Sequence, residues 1–244
     1  MNFQNLTIQS EVRNFATLNP QIAIKTFKKL NIDFCCRGTK PLNVVCSEKG
    51  LDPNEVLNQL NRSSSNETFS NQKNWNSLSS QELIENILVN HHQKMKDLLP
   101  ELTQMMTKVL KAHGQKHPEL HDLSKELKAL RDELEPHLMK EEAILFPMIQ
   151  NLENDGFAAK KALKNMHIPI KVMTEQHEDL GNLLRGIRKL TGNFSIPDDA
   201  CNTLTYLYKK LEALENDLLI HTHKENNILF SKVLIRQKIA TQIS

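Results

Sequence analysis

The sequence predicts an all-α fold, a four-helix bundle preceded by a small helical domain, and three observations predict it. First, apolar residues recur at steps of three and four over long stretches. The stripes are Leu88, His92, Met95, Leu99, Leu102, Met106, Val109; then Leu123, Leu127, Leu130, Leu134, His137, Glu141, Ile144, Met148; then Ile170, Met173, His177, Leu180, Leu184, Ile187; and last Leu204, Leu207, Leu211, Leu214, Leu218, His221, Glu225, Ile228. This is the spacing of the inward face of a helix. Second, only seven glycines and nine prolines punctuate 244 residues, which leaves room for long helices. Third, one phrase is written twice: His137-x-x-Lys140-Glu141-x-x-Ile144-Leu145-Phe146 returns as His221-x-x-Lys224-Glu225-x-x-Ile228-Leu229-Phe230.

Each element has its own start and stop signals. Residues 1–61 read as a small helical domain. In it Asn19 caps a helix with Pro20 at its first position, and Asp52-Pro53-Asn54-Glu55 opens another with a capping-box carboxylate. Residues 62–78 are polar and aperiodic, and read as a linker. The bundle spans 79–244. Ser79-x-x-Glu82 opens its first helix, which runs to about His113 with a bend expected at Pro100. Gly114 and Pro118 mark the first turn, and the second helix continues to about Leu152, where Asn154-Asp155-Gly156 breaks it. The third ends near Thr191-Gly192-Asn193, and Ser195-Ile196-Pro197-Asp198 is expected to start the fourth. Four long antiparallel helices with short turns make a four-helix bundle.

Polar groups replace leucine at one level of these stripes. On a helix, residues i and i+4 share a face, so each His-x-x-x-Glu offers a nitrogen and an oxygen to the same ion or ion pair. His92 precedes His137 by 45 positions and His177 precedes His221 by 44, which completes two equivalent units. A carboxylate on a core stripe is costly to bury unless it is paired or binds a metal. His92, His137, Glu141, His177, His221 and Glu225 are therefore the candidate ligands of a dinuclear metal site. His113 shares the stripe of His92 but lies 21 residues further on, about 31 Å along an unbroken helix, at the bundle end. His91, His117, His121, His167 and His223 fall off the stripes or in turns and are expected to be solvated. Imidazole with carboxylate suits iron, manganese or zinc, and donor type alone does not choose among them.

Composition narrows the function classes. Thirty-one basic and 29 acidic side chains nearly cancel, so no field for nucleic acid or a membrane surface is implied. No apolar run approaches the ~20 residues of a membrane span. The first residues show no export signal, and a cytoplasmic location is expected. Four cysteines, two of them the adjacent Cys35 and Cys36, do not form a disulfide scaffold and fit a reducing compartment. Cys46 and Cys201 are expected to be small packed residues.

The bundle motifs resemble hemerythrin-like domains, and the whole chain resembles the Repair of Iron Centres (YtfE/ScdA) family of di-iron proteins. The resemblance rests on Asn31-Ile32-Asp33-Phe34-Cys35-Cys36-Arg37-Gly38, where Arg37 stands in place of the first glycine of the family's Cys-Cys-Gly-Gly. It also rests on Leu99-Pro100-Glu101-Leu102, Lys140-Glu141-Glu142, Ile144-Leu145-Phe146-Pro147 and Glu225-Asn226-Asn227-Ile228-Leu229-Phe230. Ser231 occupies a usual proline position, and the segment from Asn151 to Met166 is longer than usual. The resemblance implies two non-haem iron ions in an oxo-bridged centre, held by His92, His137, Glu141, His177, His221 and Glu225, with Glu141 and Glu225 bridging. It implies functional thiols at Cys35 and Cys36, for redox work or iron transfer, and iron–sulfur proteins as clients. The activity it implies is repair of iron–sulfur clusters damaged by nitric oxide or peroxide, by iron donation. A nitric oxide-reducing enzyme and an oxygen- or iron-sensing module are the alternatives. A homodimer is expected, because a domain of about 60 residues is only marginally stable by itself.

Overall fold

A computed structural model describes residue 3 and residues 5–65, 75–152 and 163–242. Among the described residues the regular structure is helical, apart from one isolated antiparallel bridge between Glu11 and Pro41. Four short helices come first: α1 (Val12–Leu18), α2 (Pro20–Lys29), α3 (Leu42–Glu48) and α4 (Pro53–Ser65). Four long ones follow. Helix α5 covers 80–113, α6 covers 119–151, α7 is His167–Leu190 and α8 covers 202–242. The chain forms two compact units, one of Met1–Leu83 with Thr222–Lys232, the other of Ile84–His221 with Val233–Ser244.

Helix starts follow the local chemistry. The Asn19 side chain accepts from the amide of Ile22 with Pro20 at the first helical position, and Asp52 accepts from the amide of Asn54 at 2.9 Å. Ser79 and Glu82 form a reciprocal box, in which the Ser79 amide donates to Glu82 (2.8 Å) and the Glu82 amide to Ser79 Oγ (3.1 Å). Helix α8 starts at Asn202, later than Ser195–Asp198. The delay comes from a turn in which Gly192, Asn193 and Phe194 all take positive φ (55°, 60° and 60°). That turn buries Phe194 beneath the Arg188 guanidinium, 5.1 Å from its ring. The break expected at Asn154-Asp155-Gly156 lies outside the described residues, as do 66–74 of the expected linker.

The long helices are interrupted, though not at their prolines. Helices α5 and α6 continue through Pro100 and Pro136. Instead a single π-helical turn interrupts three of the four, at Leu88–His92, Glu141–Leu145 and Glu225–Leu229. A π turn holds an extra residue and advances the register by one position. In α5 the inward face therefore steps five residues, from Ile87 to His92, and Leu88 is only partly buried. In α6 the face passes from Glu141 to Leu145 and Ile149, and not to Ile144 and Met148. Ile144 is 56% exposed, which corrects the stripe drawn through it.

In the second unit Leu123, Leu127, Leu130, Leu134 and Leu138 of α6 pack with Met95, Leu99 and Leu102 of α5, Leu180 and Leu184 of α7, and Leu204 to Leu218 of α8. Arg188 forms a two-pronged ion pair with the buried Glu215.

The first unit has a different core. The rings of Phe3, Phe15, Phe27 and Phe34 contact in series at 5.7, 6.1 and 6.2 Å, and the series continues to His223 at 5.9 Å. Trp75 lies 6.3 Å from the same imidazole and receives Lys224 Nζ over its face at 4.5 Å. The loop after α2 is tied by Asp33, whose Oδ1 accepts from the amides of Cys35 (3.1 Å), Cys36 (2.9 Å) and Arg37 (3.4 Å). Arg37 keeps a negative φ, so replacing the family's glycine costs the backbone nothing here. Gly38 has no such latitude. A Cβ there would stand 2.2 Å from the Phe34 carbonyl oxygen and 2.8 Å from Arg13 Cβ.

Candidate metal centre

The four histidines drawn from the stripes and the two carboxylates are all buried, Glu141 and Glu225 completely. Leucines above and below supply the apolar surroundings, and i to i+4 spacing brings His137 beneath Glu141 and His221 beneath Glu225. The imidazoles meet in two pairs. His92 Nε2 is 3.1 Å from His221 Nε2, and His137 Nε2 is 3.1 Å from His177 Nε2. Glu141 addresses both pairs, one oxygen to each. Oε1 lies 3.2 Å from His137 and 3.7 Å from His177, while Oε2 lies 3.5 Å from His92 and 3.9 Å from His221. Donor atoms of His92, Glu141, His221 and Glu225 fall within 4.8 Å of one another, and so do those of His137, Glu141, His177 and Glu225.

Those distances match hydrogen bonds between imidazoles and equally match donors gathered around an ion. With metal–nitrogen bonds of about 2.1 Å, nitrogens 3.1 Å apart subtend about 95° at the ion, which is the angle of adjacent positions in six-coordination. Two fully buried carboxylates at one level carry charge that metal ions would balance. The two groups, each of two histidines and both carboxylates, therefore have a donor set that fits metal binding. Imidazole and carboxylate together suit iron.

Comparison with known proteins agrees. Residues 83–233 match the profile described as the hemerythrin HHE cation binding domain. Residues 8–64 match a second profile, described as a domain of unknown function and named ScdA_N. The iron-sulfur cluster repair protein YtfE of Edwardsiella ictaluri is 41% identical over 162 residues, 66% of this chain and 69% of that protein. Its counterpart from Cronobacter sakazakii is 38% identical over 167 residues, 68% and 72% of the two chains. The chain belongs to the YtfE family of hemerythrin-like proteins.

Around these six residues, outer groups fix two of the imidazoles. His92 Nδ1 donates to Glu142 Oε1 at 2.8 Å, and Lys96 Nζ holds the same carboxylate at 2.6 Å. Burial pushes the Glu142 carboxyl up, but the hydrogen bonds from Lys96 and His92 outweigh it and hold the group below the ordinary glutamate range. A charged acceptor on Nδ1 keeps the proton on that nitrogen, leaves the Nε2 lone pair directed into the site and makes it more basic. His137 Nδ1 meets the neutral Gln176 Oε1 at 3.2 Å. A cavity of about 310 Å³, lined by Ile84, Leu88, Lys96 and Phe146 among others, reaches His92 and Glu142.

His113 joins neither donor group, and its ring lies 6.2 Å from that of His117 at the end of α5. Two histidines expected in solvent are buried. His91 Nδ1 pairs with Asp217 Oδ2 at 3.0 Å, because the π turn at Leu88–His92 carries His91 inward beside His92. His223 is 0% exposed, with Nε2 3.0 Å from Thr17 Oγ1 and Nδ1 accepting from Asn227 Nδ2 at 3.1 Å. Burial pushes its pKa down to about 4. The aromatic series that ends on it was not legible, since those rings are far away in sequence.

Of the thiols, Cys35 is buried and Cys36 half-buried, with their sulfurs 3.7 Å apart. The hydrogen bond with Cys36, then burial, raises the Cys35 pKa well above the ordinary thiol value. Asn227 Nδ2 donates to the carbonyl of Cys35 at 2.9 Å, which fastens the thiol loop to the turn that contains Glu225. Ser231, at the family's proline position, donates to the Asn226 carbonyl at 3.2 Å and accepts from Arg13 at 3.4 Å. Cys46 is packed as expected, but Cys201 is exposed at the start of α8. The Leu204 amide and His113 lower its pKa to about 7.

Proposed function

We propose that the chain repairs iron–sulfur clusters in other proteins by donating iron from an oxo-bridged di-iron centre. Six residues would hold it: His92 and His221 on one ion, His137 and His177 on the other, with Glu141 and Glu225 shared. The observation that carries this reading is Glu141, fully buried, with one oxygen directed to each histidine pair. When bound, iron in such a centre supplies redox chemistry and open positions for small oxidants. The chain's own part is to keep four imidazole nitrogens unprotonated and aimed inward, and to exclude water with the leucine layers. The name of the YtfE relatives, iron-sulfur cluster repair proteins, supports the substrate class.

In this reading the clients are iron–sulfur proteins damaged by nitric oxide or peroxide. Residues 1–61 form the thiol-bearing domain, 62–78 join it to the bundle of 79–244, and Cys35 and Cys36 take part in the transfer. Four free cysteines support a cytoplasmic setting, and no helix among the described residues is long and apolar enough to cross a membrane. A homodimer is supported by the first copy of the repeated phrase. Met139 and Ile144 are 66% and 56% exposed there, where His223 and Ile228 of the second copy are buried. Sedimentation of the wild type against Met139→Glu tests the pairing.

The decisive experiment incubates the reduced, iron-loaded chain anaerobically with an apo-cluster protein, and separately with nitric oxide. Cluster assembly matched by iron loss is expected. Nitrous oxide formed over many turnovers with all iron retained would replace donation by an enzyme. Reversible oxygen binding with neither outcome would make the chain a sensor.

A further inference from the structure

A second group of metal donors lies in the first unit, in the loop after α2. Cys35 Sγ and Cys36 Sγ are 3.7 Å apart, Cys35 Sγ is 3.4 Å from Asp33 Oδ1, and donor atoms of all three residues fall within 4.8 Å of one another. Tetrahedral coordination with metal–sulfur bonds of about 2.3 Å sets two thiolates about 3.8 Å apart, and sulfur about 3.6 Å from a carboxylate oxygen. The loop already holds both spacings. A disulfide requires about 2.05 Å between sulfurs, and between adjacent residues it is strained. The spacing that a thiol hydrogen bond holds in this loop is thus also the spacing a bound cation requires, and it is far from that of a disulfide.

The frame around these donors is rigid. Three successive amides grip Asp33 Oδ1, so the carboxylate and both Cα positions move as one piece. Gly38 fits so closely against Phe34 and Arg13 that no side chain could be added at that end of the loop. Asn227 holds the Cys35 carbonyl from the other side. Two neighbouring thiolates repel each other in a half-buried site, and a divalent cation is what allows both to be deprotonated together.

We propose that Asp33, Cys35 and Cys36 form a mononuclear site for a borderline divalent cation of the zinc and ferrous type, separate from the buried histidine–carboxylate centre. Three donors leave the fourth tetrahedral position to water or to an incoming thiolate. Binding releases the two thiol protons to solvent and changes no oxidation state. Three ligands from one short loop make an exchangeable site and not a structural one, in keeping with the partial exposure of Asp33 and Cys36. The site deepens the transfer role given to Cys35 and Cys36 and rests on that reading, but it is read out separately, by cation binding to the chain alone. If donation fails in the transfer experiment above while cobalt still binds at the thiols, only the transfer reading falls; if cobalt does not bind, only this site falls.

The test titrates cobalt(II), anaerobically, into the full chain whose buried centre is already filled with ferrous iron. One further cobalt per chain is expected, with a near-ultraviolet thiolate-to-cobalt band and the intense visible bands of tetrahedral cobalt. Cys35→Ser combined with Cys36→Ser should abolish these bands and leave the iron content unchanged. Asp33→Asn keeps an oxygen for the three amides but removes the charge, and should weaken cobalt binding about tenfold or more. A separate readout needs no variant: zinc should protect Cys35 and Cys36, but not Cys201, from alkylation mapped by mass spectrometry. The proposal is overturned if the wild type shows no thiolate band at millimolar cobalt, if the band survives in the double variant, if Asp33→Asn binds as tightly, or if zinc protects neither cysteine.

Discussion

Replacing Glu141 by glutamine should move the stability of the metal-free and metal-loaded protein in opposite directions. The side chain keeps its size, so packing is nearly unchanged, but one fully buried charge is removed. Without metal, a buried carboxylate carries an effective desolvation cost of several kcal/mol. Four imidazole nitrogens at 3.2–3.9 Å offset part of it. We take the remainder as about 1–2 kcal/mol. For a chain of this size 1 kcal/mol shifts Tm by about 2–4 °C, so the metal-free variant should melt roughly 2–8 °C higher than the metal-free wild type. With metal the sign should reverse, because in the proposed centre one ion would lose its Glu141 oxygen to an amide nitrogen that does not ligate, and the other would keep only a neutral oxygen. A loss of about 100-fold in affinity corresponds to about 2.7 kcal/mol of ligand stabilisation. Calorimetry of both proteins, after chelation and after loading with iron, measures all four values. If the metal-free variant melts lower by as much as the loaded one, Glu141 is an ordinary packing residue and the ligand reading fails.

Three further outcomes follow from the same geometry. Glu142→Gln removes the charge that holds His92 Nδ1 at 2.8 Å, and should weaken iron binding about 10- to 100-fold in a chelator competition; an unchanged chelation curve would show that the contact is incidental. His223 has a pKa near 4 in the folded chain against about 6.5 unfolded, so the unfolded state takes up more protons between those values. The contribution of His223 is thus complete above about pH 6.5 and falls by about 3 kcal/mol as pH drops towards 4; urea midpoints should show this slope in the wild type and not in His223→Gln. Leu145→Ala should cost about 2–5 kcal/mol and Ile144→Ala less than about 0.5 kcal/mol, and equal costs by denaturant titration would refute the register set by the π turn.

The clustering of the six candidate residues was legible because a helix makes spacing equivalent to direction. A histidine four residues before a glutamate must share its face, and the duplication showed that both pairs meant the same thing. The lone His92 and His177 could be read because the leucines on either side set their phase. That phase was lost where the helix changed its period. Ile144 was drawn inward and Leu145 was not, because nothing in Glu141-Glu142-Ala143-Ile144-Leu145 distinguishes a π turn from an α turn. His91 was assigned to solvent for the same reason. The late start of α8 depends on three successive positive φ values, which a buried Phe194 stabilises and no local signal announces. His223 lies off the stripe of its own helix, and its burial depends on Thr17, Phe34 and Trp75, residues some 150–200 positions away.

The membership of Thr222–Lys232 in the first unit has a consequence for synthesis. The N-terminal four phenylalanines leave the ribosome early, but the imidazole that ends their series and the Asn227 amide that fastens the thiol loop are made near the end of the chain. At roughly 5–20 residues per second, the nearly 140 residues between Leu83 and Thr222 take about 7–30 seconds to be translated. During that interval the nascent first domain lacks one wall of its core, and its cysteines stand on a loop with one anchor missing. We expect it to reach protease resistance only when residue 232 has emerged, so that released chains truncated before 222 are digested over residues 1–83 and those extending beyond 232 are not.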